Sequence, residues 1–148
     1  MAVEYGSTLD RVTIKTADEI RAMEKACKLA AQLLYHTAKF VRPGITTNEL
    51  DKIAHDFCLS NEAKPAPLGY HGFPKSICTS VNEVICHGVP DETVLKDGDI
   101  INIDVACIKY GFHGDTSATF YVGNVSEKAK RITECAKQAM EKGIEAIT

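Results

Sequence analysis

Two aspartates in the second half of the chain have the types and spacing that could support metal chemistry. Asp104 lies inside the apolar run INIDVACI (101–108), and Asp115 follows in GFHGDTSATF (111–120). Ionised carboxylates are rarely buried unless they are paired or bound to a metal. Two of them held close together repel each other unless a cation lies between them. The pair therefore suggests a divalent metal site, with Asp104 as one ligand and Asp115 able to bridge two metal ions.

A purely structural interpretation of the same two residues stays open. Asp115 could cap a turn beside Gly114, while Asp104 accepts hydrogen bonds from the backbone or from Asn102. Two aspartates on a hairpin are a weak signal, and their spacing alone slightly favours this second interpretation.

Histidines are the other candidates for chemistry. His87 stands between Cys86 and Gly88 at the end of an apolar run, where an imidazole could donate a hydrogen bond to a substrate carbonyl or amide. The alternative is an ordinary half-exposed histidine at a strand end. His113 flanks Asp115 and could orient it from outside the metal shell. The remaining histidines are expected to have surface or packing roles, and they are His36, His55 and His71.

A predicted hairpin must position the two aspartates. The segments 99–109 and 112–122 alternate polar and apolar residues around Tyr110-Gly111. A two-residue turn there places Ala106 opposite Asp115 and puts Asp104, His113 and Asp115 on one polar face. The other face is then apolar, with Ile101, Ile103, Val105, Cys107, Phe112, Ala118 and Phe120. A slip of one residue on one strand would place the aspartates on opposite faces.

A second hairpin and a loop precede this one. ICTSV (77–81) and VICHG (84–88) flank Asn82-Glu83, which predicts a hairpin with Cys78 opposite His87. The segment 62–75 contains three prolines and two glycines and is predicted to be a constrained loop. Its aromatic residues are unusual for a solvent-exposed loop and suggest a binding role, and they are Tyr70, His71 and Phe73.

Amphipathic helices are predicted on both sides of these hairpins. Two capping boxes, Thr16 to Glu19 and Thr46 to Glu49, begin apolar patterns of helical spacing. Arg42-Pro43-Gly44 ends the first helix, and a third pattern covers 126–147. Helices that cover a sheet of hairpins predict an α+β domain.

Composition limits the class of protein further. The chain has 148 residues, 45% hydrophobic residues and a formal charge of −3, which fits one globular domain and gives no footprint for nucleic acid or an anionic membrane. No apolar run approaches the roughly 20 residues of a membrane span, and the first residues lack a signal-peptide pattern, so we expect a cytoplasmic protein. The six cysteines form no C-x-x-C pair and are expected to be reduced. Three in apolar runs are expected to be buried, and they are Cys78, Cys86 and Cys107.

Three segments resemble one enzyme family. They are LGYHGFPKSICTSVNEVICHGVPD (68–91), LKDGDIINIDV (95–105) and GFHGDTSATFYVG (111–123), and together they are similar to type I methionine aminopeptidases. The resemblance implies the pita-bread fold, an α+β architecture with a curved antiparallel sheet backed by helices. It also implies removal of the initiator methionine from nascent polypeptides with one or two divalent metal ions, namely cobalt, manganese, iron or zinc. Nascent chains that begin with methionine would be the partners, and association with the ribosome is left open.

The resemblance also assigns residues. Asp104 and Asp115 match the family's first two metal ligands, and His87 matches the histidine that contacts the substrate. The pocket for the methionine side chain is matched by Tyr70, Phe73 and Cys78. The family's other ligands are a later His and two later Glu, which this sequence does not reach before Thr148. We therefore expect an arm at 1–15 and the N-terminal half of a pita-bread catalytic domain at 16–148, inactive alone.

Two other functions remain open at this point. The chain could be a non-catalytic pita-bread relative that binds peptides, or a half that needs its other half in trans. The paired aspartates and His87 favour an enzyme, because a simple binding protein has no need of paired carboxylates.

Overall fold

The structure is a computed structural model that describes residues 13–147, so residues 1–12 of the predicted arm lie outside the described residues. Its seven main elements are α1 (Ala17–Ala38), α2 (Thr47–Ser60), β1 (Lys64–Pro65), β2 (Cys78–Val81), β3 (Ile100–Lys109), β4 (Phe112–Tyr121) and α3 (Glu127–Glu145). A short 3-10 turn covers Tyr70–Gly72 within the predicted loop. Helices and an antiparallel sheet give the α+β class that the sequence predicts.

Both predicted capping boxes are present at the helix starts. Glu19 N donates to Thr16 Oγ1 at 3.3 Å, and Thr16 N donates to Glu19 Oε2 at 2.7 Å. Thr46 and Glu49 repeat the arrangement at the start of α2. Each box satisfies N–H groups that have no partner inside the helix. α1 ends at Ala38, a few residues before the predicted stop, because the chain tightens into 3-10-type hydrogen bonds ahead of Pro43.

The β3–β4 hairpin has the predicted register. Lys109 lies opposite Phe112, and Ala106 lies opposite Asp115. The connecting residues Tyr110 and Gly111 have φ values of 55° and 79°, which is the pattern of a type I′ turn. This turn suits the twist of the two strands, and the two aspartates therefore lie on the same face of the sheet.

β3 is the central strand of the sheet. One of its edges pairs with β4 along the whole length, and the other pairs with β1 and β2. α1 packs across β3 and β4, and α2 packs beside α1. The β3 side chains that face the helices are fully buried, and they are Ile101, Ile103, Val105 and Cys107. One face of the sheet therefore forms the core, and the opposite face is left for the polar side chains.

The predicted first hairpin is wrong. β2 exists, but residues 84–88 form no strand, and β2 pairs with β3 instead. Thr79 N donates to Gly88 O at 2.8 Å, so the local register also differs from the predicted pairing of Cys78 with His87. The left-handed backbone of His87, with φ of 54°, turns the chain out of an extended path. Ile85 consequently points into solvent and is 94% exposed.

The cysteines are all free thiols, but their burial differs from the expectation at one position. Cys78 and Cys107 are buried as predicted, whereas Cys86 is exposed because the segment around it is not a strand. Cys58 is also buried, within α2. Burial raises the pKa of the Cys58 thiol to about 12 and that of Cys78 to about 11.

Thiol labelling of the native chain should divide the six cysteines into two groups. Because the thiolate is the reactive form, we expect the exposed thiols of Cys27, Cys86 and Cys135 to react with a maleimide near neutral pH. The buried thiols should react much more slowly until denaturant is added, and they are Cys58, Cys78 and Cys107. Mass spectrometry of the labelled peptides measures this, and fast native labelling of Cys58 or Cys107 would contradict the described core.

α3 begins just after Ser126, where the third helical pattern was predicted to start, and it stays exposed. Ser126 Oγ accepts from Ala129 N at 3.2 Å, and no side chain of α3 is buried within the described chain. Its apolar residues are open to solvent, including Ile132, Met140 and Ile144. None of the helices in residues 13–147 has the length and apolar character needed to cross a bilayer.

Candidate functional site

One cavity collects every residue that the sequence singled out for chemistry or binding. It has a volume of about 850 Å³ and lies on the polar face of the sheet. The predicted residues in its lining are Tyr70, Phe73, Cys78, His87, Asp104, His113 and Asp115. They come from the loop before β2, from β2 itself, from the irregular segment after it, and from β3 and β4. The structure therefore brings together side chains spread over more than forty positions of the sequence.

The two aspartates lie on adjacent strands as diagonal neighbours. Asp104 pairs with Ser117, and Asp115 pairs with Ala106, so both side chains project from the same face of the β3–β4 ladder. Diagonal neighbours in such a ladder are on the order of 7–8 Å apart or less. Burial, and then the negative charge of Asp115, raise the pKa of Asp104, while His87 opposes the shift. The pair therefore carries a repulsion that nothing in residues 13–147 fully neutralises.

The structural interpretation of the aspartates is not supported. Asn102 Nδ2 donates to Thr119 Oγ1 at 3.3 Å, and not to Asp104. Asp115 lies within β4 rather than in a turn. Among the hydrogen bonds of the described residues, neither carboxylate accepts one from another protein group. Their oxygens thus remain free to bind a ligand in the cavity.

A divalent cation fits this donor set, but only in part. Carboxylate oxygens are ligands that divalent metal ions accept, and a cation between Asp104 and Asp115 would remove their mutual repulsion. Within residues 13–147, however, no group of three or more His, Cys, Asp or Glu side chains is arranged to hold a metal ion. The described part of the chain therefore offers two carboxylates with the chemistry of metal ligands and not a complete coordination shell.

The rest of the cavity lining is largely apolar and aromatic. The 3-10 turn presents Tyr70 and His71, whose rings meet edge to face at 4.4 Å. Phe73 follows with extended backbone, and prolines flank the turn. Cys78 lies directly opposite Asp104 in the β2–β3 ladder. Its thiol therefore lies in the lining next to the carboxylates. A pocket with an apolar wall and a few polar groups at its base is typical of a small-ligand site.

His87 and His113 reach the cavity from different sides. His87 lies on the irregular segment after β2, close enough to Asp104 to lower the pKa of that carboxyl. His113 lies on β4 two residues before Asp115 and is exposed at the cavity edge. Positioned this way, His87 can donate to a ligand held over Asp104, whereas His113 stands beside the carboxylate pair.

Sequence reasoning missed two residues that matter here. His71 was noted among the aromatic residues of the loop but was itself assigned a surface or packing role, yet it lines the cavity with a left-handed backbone, φ 47°. Asp51 was not singled out, yet it is a buried carboxylate that binds the backbone just before β2. Its spacing was a usable signal, because Thr47, Asp51 and Ala54 recur at helical intervals on the buried face of α2. Nothing in the sequence marks His71 apart from its aromatic-rich loop.

Comparison with known proteins identifies sequence relatives of this chain. The chain is 54% identical over 125 residues to methionine aminopeptidase 1D, chloroplastic/mitochondrial, of Arabidopsis thaliana, covering 84% of this chain and 36% of that protein. It is 50% identical over 137 residues to methionine aminopeptidase 1 of Saccharomyces cerevisiae, covering 92% and 35%. The chain thus spans about a third of the length of these relatives.

A solved structure supports the same relationship at the level of the fold. The crystal structure of methionine aminopeptidase from Rickettsia prowazekii superposes with a TM-score of 0.89 at 49% identity, covering 90% of this chain and 54% of that one. The expected α+β pita-bread fold is thereby confirmed, for about half of the length of that structure. The sequence model that represents metallopeptidase family M24 matches residues 21–148 of this chain. With the fold, the paired aspartates and this match in agreement, the chain belongs to metallopeptidase family M24.

Proposed function

We propose that this chain provides one half of the active site of a methionine aminopeptidase, which removes the N-terminal methionine from nascent polypeptides. The observation that carries the proposal is that Asp104 and Asp115 line the same cavity as the aromatic residues Tyr70 and Phe73. The carboxylates would supply two metal ligands. The pocket for the methionine side chain would be formed by Tyr70, Phe73 and Cys78.

In this proposal, some residues of the chain bind the methionine side chain, and His87 polarises the substrate's first peptide bond. An unbranched thioether side chain adapts well to an irregular apolar pocket and interacts favourably with aromatic rings, as offered by Tyr70 and Phe73. With that side chain in the pocket, the first peptide bond of the substrate lies towards Asp104. His87 then donates a hydrogen bond to the substrate amide or carbonyl and stabilises charge that develops there. His113, at the cavity edge two residues before Asp115, would orient that carboxylate from outside the metal shell once a cation is bound.

A divalent cation belongs to this proposal. When bound, it would act as a Lewis acid on the scissile carbonyl and lower the pKa of water. We propose cobalt, manganese, iron or zinc at Asp104 and Asp115, one or two ions in number. The proposed domain limits are an arm at 1–15 and a half-domain at 16–148. The proposed compartment is the cytoplasm, where nascent chains beginning with methionine emerge, with ribosome contact left open.

Ligand binding by the chain tests the proposed pocket. Saturation-transfer NMR with Met-Ala-Ser should show transfer to the methionine methyl group, and Ala-Ala-Ser should show much less transfer to its first methyl group, because alanine is too short to fill the apolar pocket. Turnover is followed in the same samples after addition of Mn²⁺ or Co²⁺. No preference for the methionine peptide would contradict the proposed function.

A second candidate function has one observation in its favour. Because residues 13–147 hold no arrangement of three metal-ligating side chains, the chain could bind peptide N-termini without cleaving them. Methionine-selective binding without turnover in the presence of metal would favour this candidate, or a half-site completed by another polypeptide. Turnover by the chain alone would exclude both.

A further inference from the structure

One charged side chain interrupts the buried face of α2. Thr47, Asp51, Ala54 and Cys58 share that face, and all four are buried. Asp51 is only 9% exposed. Because a buried carboxylate is costly unless it is hydrogen-bonded, its presence on this face requires partners.

Those partners are the two backbone N–H groups that come just before β2. Ser76 N donates to Asp51 Oδ1 at 2.7 Å, and Ile77 N donates to the same oxygen at 3.1 Å. β2 pairs with β3 only from Cys78 onward, so neither of these two N–H groups is paired within the sheet. Ser76 and Ile77 are themselves buried, and unpaired N–H groups there would be costly. The carboxylate therefore takes the place of a strand partner.

Neighbouring side chains of α2 hold the same stretch of backbone. His55 Nδ1 and Ser76 Oγ share a hydrogen bond at 2.8 Å, one turn of helix after Asp51. Lys75 Nζ donates to Asn48 Oδ1 at 2.5 Å, about one turn before it. Residues 75–77 are thus attached to three successive positions along one side of α2, with the Asp51 contacts the most buried of the three.

This stretch connects two parts of the cavity wall. On its N-terminal side it follows the aromatic turn that carries Tyr70 and Phe73, and on its C-terminal side it leads into Cys78. Cys78 pairs directly with Asp104. A displacement of residues 76–77 would therefore move the pocket wall relative to the carboxylates, although Asp51 does not line the cavity itself.

We propose that Asp51 is a positioning residue of the site, which holds the backbone of residues 76–77 and so fixes Cys78 and the aromatic wall against Asp104. The inference rests on the proposed function only for the identity of the ligand in the pocket. The geometry that it invokes is independent of that ligand.

Alkylation of Cys78 measures the position of this wall. Cys78 lines the cavity but is only 6% exposed in the wild-type chain, so a rise in its reaction rate with iodoacetamide indicates loosening of the segment. Because hydrogen bonds to a charged group are among the stronger ones, we expect Asp51→Ala to raise the alkylation rate of Cys78 about tenfold or more. Asp51→Asn keeps an acceptor oxygen but loses the charge, and should give a smaller increase.

Internal and external controls separate positioning from general stability. Cys58 lies about two turns after Asp51 on the buried face of α2, and Cys107 lies on the core face of β3; both should keep their wild-type alkylation rates if the change is confined to residues 76–77. The matched variant is Asp56→Asn, an exposed aspartate of α2 paired with Lys52, which should leave Cys78 unchanged. An unchanged Cys78 rate in the Asp51 variants, or an equal rise at all three buried thiols, would overturn the proposal. If Asp51→Ala does not fold, Asp51→Asn alone decides by the same criteria.

A second arm separates this inference from the proposed function. L-Methionine should protect Cys78 from alkylation in the wild-type chain and protect it less in the Asp51 variants. Absence of protection in the wild type would count against the methionine pocket. The positioning role of Asp51 would still be judged by the relative alkylation rates without ligand.

Discussion

Replacement of Gly114 by alanine is expected to lower the free energy of unfolding by about 3 kcal/mol. Gly114 lies on the β4 face that meets α1, where the helix backbone comes unusually close. A Cβ built at Gly114 would clash with the carbonyl group of Ala26 and lie 2.7 Å from the amide nitrogen of Cys27. The obstacles are backbone atoms, which cannot rotate away, so the helix or the strand would have to move.

Urea denaturation followed by circular dichroism measures the effect. The matched control is Gly143→Ala, at an exposed position of α3 where an added Cβ meets nothing within 4 Å. That change should be neutral or increase helix stability by up to about 1 kcal/mol, since alanine has the higher helix propensity. Because Gly114 directly precedes Asp115, its variant should also disturb the site. A loss below about 1 kcal/mol would mean that α1 does not pack on β4 as closely as described.

The β3–β4 hairpin shows what the sequence could predict. Its alternation of polar and apolar residues has a period of two, and a register error would have buried Asp104 and exposed Ile103. Tyr110-Gly111 added a turn of the right length. Local pattern and burial therefore agreed on one register, and the shared face of the two aspartates followed from it.

The segment 84–88 shows why the neighbouring prediction failed. Val84, Ile85 and Cys86 look like a strand by composition, but the path is determined by the left-handed backbone of His87 and by the bond from Thr79 N to Gly88 O. Histidine adopts that conformation more often than most residues but still only in a small minority of cases, so the sequence signal is weak and the cause is mainly tertiary. For α3, likewise, periodicity predicted the helix, but periodicity does not specify a packing partner.

The position of the two aspartates could be predicted from the strand register, whereas their chemical roles were predicted from the resemblance to a family. Spacing alone left Asp104 and Asp115 open between a metal site and hydrogen bonding, and it was the resemblance to a family that gave them specific roles. Their common position on one face of the sheet follows from the strand register and needs no knowledge of the family. Their assignment to a metal ion stays a prediction that needs its own measurement.

The substitution Asp104→Asn is expected to have two opposite effects. It should stabilise the metal-free chain, and it should weaken the stabilisation of the chain by a metal ion. Burial and the charge of Asp115 raise the pKa of Asp104 in the folded state. A carboxyl with a raised folded-state pKa favours folding below its unfolded pKa, and that contribution is lost as the pH rises through the folded pKa. At neutral pH the ionised Asp104 therefore costs stability. Asp104→Asn should raise the free energy of unfolding of the metal-free chain by no more than about 1 kcal/mol, the usual upper limit for an interaction between partly exposed charges.

With a bound cation, the wild-type chain should become more stable than the Asp104→Asn variant. If Asp104 is a ligand, Mn²⁺ at ten times its dissociation constant should stabilise the wild-type chain by about 1.4 kcal/mol. Asp104→Asn, which lacks one of the two carboxylates, should show little response. Thermal unfolding with and without MnCl₂ measures both effects, and Asp56→Asn is the control for a charge change at an exposed site. A variant that keeps the full wild-type response to Mn²⁺ would exclude Asp104 as a ligand. Metal would then have to bind elsewhere, because Asp115 alone offers too few donors to hold it.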